Sequence, residues 1–215
     1  MKRNQTTRKM ALFAMFLAIE LILNLTPLGF IRTPILAITL MHIPVIAAGI
    51  LLGWKYGAAL GLVFGLCSVW NATMTPNVTS FVFSPFVEVG GVHGNWTSLI
   101  IALVPRILLG CFAGWTFTLF NKKLNRPIAA LLAGCVSTLL HTLMVLGLIY
   151  LLWGNAYAAA TGVEPSGLLL ALAMVIVTNG IAETALAGIV SMALAKAIKP
   201  VDFKSSSSLS SSAAH

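Results

Sequence analysis

Long apolar runs alternate along this chain with short polar stretches that carry nearly all of its charge. A membrane-spanning helix needs about 20 predominantly apolar residues. By that measure the pattern predicts six helices, at about Met10–Thr26, Ile35–Leu52, Tyr56–Ala72, Trp96–Phe120, Pro127–Trp153 and Gly167–Ala197. Pro27 closes the first of them. The second and third are short or broken by glycine. The expected fold is therefore an all-α membrane protein, with one six-helix domain over residues 1–200. The serine-rich tail over 201–215 is expected to be flexible.

Glycine recurs every fourth residue at Gly49, Gly53, Gly57, Gly61 and Gly65, and again at Gly110 and Gly114. Small residues at this spacing let membrane helices approach closely, so the series reads as packing. A turn around Lys55 is expected to divide it between two helices. Ala11, Ala14 and Ala18 form a similar stripe on the first helix. Internal packing is one reading of it. The other is an outward-facing smooth patch on which a partner helix slides.

Composition strengthens the membrane assignment. The chain is 59% hydrophobic and 8% charged, against about 25% charged residues in soluble domains. Its net charge of +8 suggests nucleic acid only until the charges are placed. Lys2, Arg3, Arg8, Lys9, Lys55, Lys122, Lys123, Arg126, Lys196, Lys199 and Lys204 all fall on one side of the predicted topology. Only Arg32 falls on the other, and Arg106 lies within a helix. Positive residues favour the cytoplasmic side, so both termini are expected there, and no nucleic-acid partner is expected. Residues 27–34, 73–95 and 154–166 then form the outer loops. The middle one, between the third and fourth helices, is long, and Phe81, Phe83, Phe86 and Val87 make it too apolar for a disordered segment. Cys67, Cys111 and Cys135 sit in apolar runs and read as small buried hydrophobes.

Polar groups inside the apolar runs are the candidate chemistry. A charge at membrane depth is costly and usually faces a bundle interior or a wet cavity. Arg106 lies roughly 12–15 Å below the outer surface at about 1.5 Å per helical residue. By the same measure His141 and Asn179 lie roughly 15–18 Å deep, and Glu183 is one turn deeper on the face of Asn179. Three helices thus bring polar side chains to one level. Asn179 and Glu183 could also serve as interhelical hydrogen bonders, His141 as a packing donor, and Glu183 as the internal counter-charge of Arg106. Trp70, Asn71, Asn95 and Trp96, near the outer surface, could wall a pocket, with interfacial anchoring the other reading of the tryptophans. Glu88 and His93 read as solvated, and Glu20 is an acid without an assigned role.

Enzyme signatures are missing from the sequence. It has neither a GxxxxGK[ST] phosphate loop nor an HExxH zinc motif. Ser68, in GLCSVW, lacks the glycine framing of a nucleophile elbow. No cofactor is expected.

Three segments, HIPVIAAGILLGWKYGAALGLVFGL (42–66), FVFSPF (81–86) and GNWTSLIIALVPRILLG (94–110), carry a family resemblance that extends over about residues 8–200. With the alanine stripe of the first helix, they resemble the substrate-binding S-components of energy-coupling factor (ECF) vitamin transporters, in particular the pantothenate-specific members. That resemblance implies a cell-membrane protein that binds one vitamin near the outer face. It implies docking, through Ala11, Ala14 and Ala18, to a transmembrane coupling subunit that works with two cytoplasmic ATPase subunits. Segment 73–95 would be the gating loop. Arg106 matches the arginine of the family's proline-arginine pair, and a buried cation suits an anionic vitamin such as pantothenate. Two alternatives stay open at this point. One is an S-component for a ring vitamin such as hydroxymethylpyrimidine or pyridoxine, with Arg106 paired to Glu183. The other is a small membrane-embedded enzyme using His141 and Glu183 as acid and base.

Overall fold

The first apolar run is helical from Lys2 to Leu25 (α1), well before its expected start at Met10. Nothing between Lys2 and Lys9 breaks a helix, since that stretch lacks proline and glycine. The computed structural model of the chain describes residues 2–27, 29–32 and 37–198. The tail over 201–215 lies outside the described residues, as do Ile35 and Leu36, the expected start of the second helix.

Residues 37–39 are not helical, contrary to expectation. They form a strand, β2 (Ala37–Thr39), antiparallel to β1 (Phe30–Arg32), with Phe30 opposite Thr39 and Arg32 opposite Ala37. Thr39 is the physical reason. Its hydroxyl donates to the Gly29 carbonyl at 2.8 Å and accepts from the Met41 amide at 3.1 Å. A side chain that satisfies backbone groups locally competes with helix formation. Helix α2 therefore begins only at His42 and ends at Leu52, 11 residues in all. That is about 16 Å of helix.

One residue separates α2 from α3 (Trp54–Met74). Gly53 has φ 104°, a region that L side chains avoid. The break is therefore at Gly53, and Lys55 lies in the first turn of α3. Gly57 and Gly61 of α3 then lie directly on the backbone of α4 (Trp96–Phe120) at Gly110 and Arg106. No side chain separates the two helices there. This contact sets the position of Arg106 relative to α3.

Residues 75–95 are ordered by internal hydrogen bonds. Asn77 Oδ1 accepts from the Thr79 amide at 2.9 Å and from the Ser80 hydroxyl at 3.1 Å. Phe81 is fully buried, with its ring edge-on to Trp153 at 5.3 Å. Two-residue strands β3 (Glu88–Val89) and β4 (Val92–His93) close the segment. Phe81 and Val87 are thus anchors in the core, whereas Phe86 is 75% exposed.

Helix α5 runs from Arg126 to Thr161, past its expected end at Trp153. The stretch Asn155–Thr161 contains no breaker, and the helix stops at Gly162, which is left-handed at φ 70°. Most of the expected outer loop 154–166 is therefore helix. The last apolar run is one continuous rod in three parts: α6 (Leu168–Val175), a π-helical turn (Ile176–Gly180) and α7 (Ile181–Ala197). The Arg126 guanidinium at the start of α5 closes the far end of α7, donating to the carbonyls of Ala195 at 2.8 Å and Ile198 at 2.6 Å.

Four helical segments, 54–74, 96–120, 126–161 and 165–197, are long and apolar enough to cross a membrane. Of the other two expected spans, α2 is short and α1 carries Arg8, Lys9 and Glu20. Ala11, Ala14 and Ala18 are exposed on α1, whereas Phe16 and Glu20 on its opposite side are buried. The internal-packing reading of that stripe is excluded. Glu20 is fully buried, and neither carboxylate oxygen finds a hydrogen-bond partner among the described residues.

Candidate functional site

A polar-lined cavity opens where α3, α4, α5 and the π-helical turn converge. It offers about 90 Å³ to the centre of a water molecule, where one water needs roughly 10–15 Å³. It therefore has room for several waters or a small molecule. Asn71, Arg106, His141, Asn179 and Glu183 all line it. The depth estimates from helical rise thus bring together the residues they were meant to bring together.

Arg106 dominates the site. It is buried, at 6% exposure, and its neighbours hold the guanidinium from three directions. Pro105 lacks a backbone N–H, so the Ile101 carbonyl four residues earlier loses its usual helical donor. Arg106 Nη1 takes that carbonyl at 2.6 Å. The proline beside the arginine therefore supplies its anchor. The rings of Phe64 and Phe83 lie 5.4 Å and 5.2 Å from the guanidinium carbon. Such cation–π contacts contribute about 0.5–2 kcal/mol each. Nε is buried without a partner, and Nη2 makes no hydrogen bond to the protein among the described residues.

Glu183 makes no direct ion pair with Arg106, although the two line the same cavity and their charges act on each other. Its Oε1 accepts from the Thr39 amide at 2.8 Å, tying α7 to β2. No carboxylate among the described residues forms an ion pair with Arg106; the ion pair found there joins His93 to Glu88, at 3.4 Å and exposed. The direct ion pair that the ring-vitamin alternative assumed is not formed among the described residues. The cavity wall carries a buried cation whose Nη2 makes no bond to the protein among the described residues, and a carboxylate whose second oxygen is uncommitted to the backbone. Such a pair of poles suits a small ligand with an anionic group at one end and a donor at the other.

The remaining expected wall residues lie elsewhere. Trp70 and Trp96 are 57% and 77% exposed and do not line the cavity, which matches the interfacial reading of tryptophan. Asn95 spends its side chain on the backbone: Oδ1 accepts from the Thr97 amide at 2.8 Å, and Ser98 Oγ accepts from the Asn95 amide at 3.2 Å. Together they form the capping box of α4. Ser98 also donates to the Phe81 carbonyl at 2.7 Å, tying the preceding loop to α4. Asn95→Ala is therefore expected to lower stability by about 1 kcal/mol while leaving ligand affinity unchanged. Thermal unfolding and titration of the same sample check both halves.

Several lining residues were not singled out from the sequence. Thr39, Thr142, Thr75, Asn77, Thr79 and Ser80 supply hydroxyl and amide groups, and Phe83 supplies a ring. Ser68, dismissed as a nucleophile, also lines the cavity. Short hydroxyl residues in apolar helices usually bond the preceding turn. They carry no periodicity that would mark them beforehand.

The family model described as the ECF transporter substrate-specific component matches residues 8–195. The chain belongs to that family. It is thus a transport protein of the cell membrane, a substrate-binding component and not an enzyme. Two relatives align over almost its whole length. The pantothenic acid transporter PanT of Lactococcus lactis subsp. cremoris is 35% identical over 202 residues, covering 92% of this chain and 96% of the relative. The pantothenate transporter PanT of Leuconostoc mesenteroides subsp. mesenteroides is 27% identical over 208 residues, covering 92% and 95%. The cavity is therefore the natural place to seek the substrate of this component.

Proposed function

We propose that this chain is the membrane-embedded, high-affinity binding subunit for pantothenate in an ATP-driven ECF importer. The observation that carries the reading is the buried Arg106, which lines a cavity and forms no direct ion pair with an acid among the described residues. A buried cation in that situation is completed by an anionic ligand. Pantothenate has a carboxylate at one end and hydroxyl donors at the other, matching Arg106 and Glu183. Asn71, His141 and Asn179 contribute polar contacts along its amide. Both relatives named above carry pantothenate in their names.

In this reading α1, α2, α3, α4, α5 and the α6–α7 rod make six spans, with both termini in the cytoplasm and the 73–95 segment over the outer mouth. The short α2 and the β1–β2 hairpin fill one crossing together. ATP is hydrolysed by two cytoplasmic ATPase subunits, and α1 meets the transmembrane coupling subunit through Ala11, Ala14 and Ala18. The exposed stripe supports that contact. Ala14→Trp or Ala18→Trp is expected to leave pantothenate affinity unchanged in detergent and to stop uptake in cells. Loss of both together would point instead to a folding defect, and unchanged uptake would remove the coupling role. The reading as a whole is tested by mass spectrometry of the small molecule that copurifies with the chain. Pantothenate supports it, and a ligand without a carboxylate overturns it.

A further inference from the structure

We infer that Phe83 is the charge-selectivity residue of this site, acting on the ligand through Arg106. The inference rests on the reading of the cavity as a carboxylate-binding site and adds a residue to it. The rings of Phe64 and Phe83 both lie against the guanidinium, at 5.4 Å and 5.2 Å from its carbon, and the Ile101 carbonyl takes Nη1. Nε is sealed from the cavity without a partner. Nη2 is left, with no protein partner among the described residues. The arginine thus offers a carboxylate one charge-assisted hydrogen bond, from Nη2.

The two rings are not equivalent. Phe64 belongs to α3, is fully buried and forms part of the core. Phe83 is carried by the segment between α3 and α4, is only half-buried and itself lines the cavity. Phe83 is therefore the ring that can be altered without emptying the core. It is a positioning residue: without it the guanidinium can tilt toward the space the ring occupied, and the Nη2 hydrogen bond to the carboxylate is weakened.

The test compares pantothenate with pantothenyl alcohol, the same molecule with CH2OH replacing the carboxylate. Affinities for both are measured on the purified full chain in detergent, by thermal-shift titration carried to millimolar ligand. The proposal expects Phe83→Leu to weaken pantothenate binding at least tenfold and alcohol binding less than threefold. Phe83→Tyr, which keeps a ring face, restores selectivity. Equal loss for the two ligands, or no loss for either, overturns it. The underlying carboxylate reading fails separately, if the unmodified chain does not prefer pantothenate to its alcohol.

Discussion

Arg106→Met is expected to weaken pantothenate binding by between thirtyfold and several thousandfold while leaving the ligand-free protein at least as stable. The magnitude follows from the site's burial. Truncating one member of a desolvated, hydrogen-bonded charge pair costs about 2–5 kcal/mol, and each 1.4 kcal/mol is a factor of about ten in affinity. The stability half follows from the absence of a direct ion pair. No carboxylate among the described residues bonds to Arg106, and replacing a buried charge in that situation with an apolar side chain of similar length is often neutral or stabilising. Thermal unfolding without ligand and equilibrium binding with radiolabelled pantothenate are the two measurements. A variant that unfolds early and binds weakly has lost its fold, whereas one that is stable and does not bind has lost its ligand contact. Arg106→Lys keeps the charge but not the fork, so it is expected to fall between the two proteins. If Arg106→Met binds pantothenate within a few fold of the unmodified chain, the guanidinium is not the anion site.

Much of this was legible from residue patterns. The bounds of α4 and the presence of Arg106 in its apolar interior follow from hydropathy alone. The convergence of His141, Asn179 and Glu183 with it follows from helical rise counted inward from the same face. What could not be read was decided by contacts between residues far apart in sequence. Thr39 turned residues 37–39 from helix into strand by bonding to Gly29, and its amide claimed Glu183 from 144 positions away. Asn95, Trp70 and Trp96 have the right types for a pocket wall, but local capping and the outward helix face took them first. The π-helical turn at Asn179 was also invisible, because one extra residue in a turn leaves no mark on the hydropathy of a continuous apolar run. Such turns are often found at functional sites, and here one places Asn179 and Gly180 on the cavity wall.

The Pro105–Arg106 pair joins these two kinds of information. Sequence shows a helix-disrupting residue beside an expensive charge. Structure shows that each answers the other's deficit, the proline leaving the Ile101 carbonyl that the arginine then occupies. The same carbonyl fixes Nη1. The arginine at the cavity wall is thus set on a local backbone defect of one helix and held in place by the helix packed against it.

That packing carries the other large effect. Gly110→Ala is expected to destabilise the protein by about 1–3 kcal/mol or more and to weaken ligand binding with it. A Cβ at Gly110 would run into the carbonyl of Gly57 and the Ala58 amide, and a Cβ at Gly57 would lie 2.5 Å from the Gly110 carbonyl. Both obstacles are backbone, so no rotamer change relieves them and the helices must separate. Alanine's advantage over glycine in helix propensity, about 1 kcal/mol, only partly offsets that cost. One turn toward the cavity, Gly61 rests on the Arg106 carbonyl, so any separation of α3 from α4 also pulls the guanidinium away from Phe64. Gly147 on α5 is the matched control, because a Cβ there meets nothing within 4 Å. Gly147→Ala is expected to raise stability by about 0.5–1 kcal/mol and to leave affinity unchanged. The unfolding midpoints of the two variants in detergent, each with and without pantothenate, decide the matter. Equal behaviour of Gly110→Ala and Gly147→Ala would mean that close backbone contact between α3 and α4 does not hold the arginine in place.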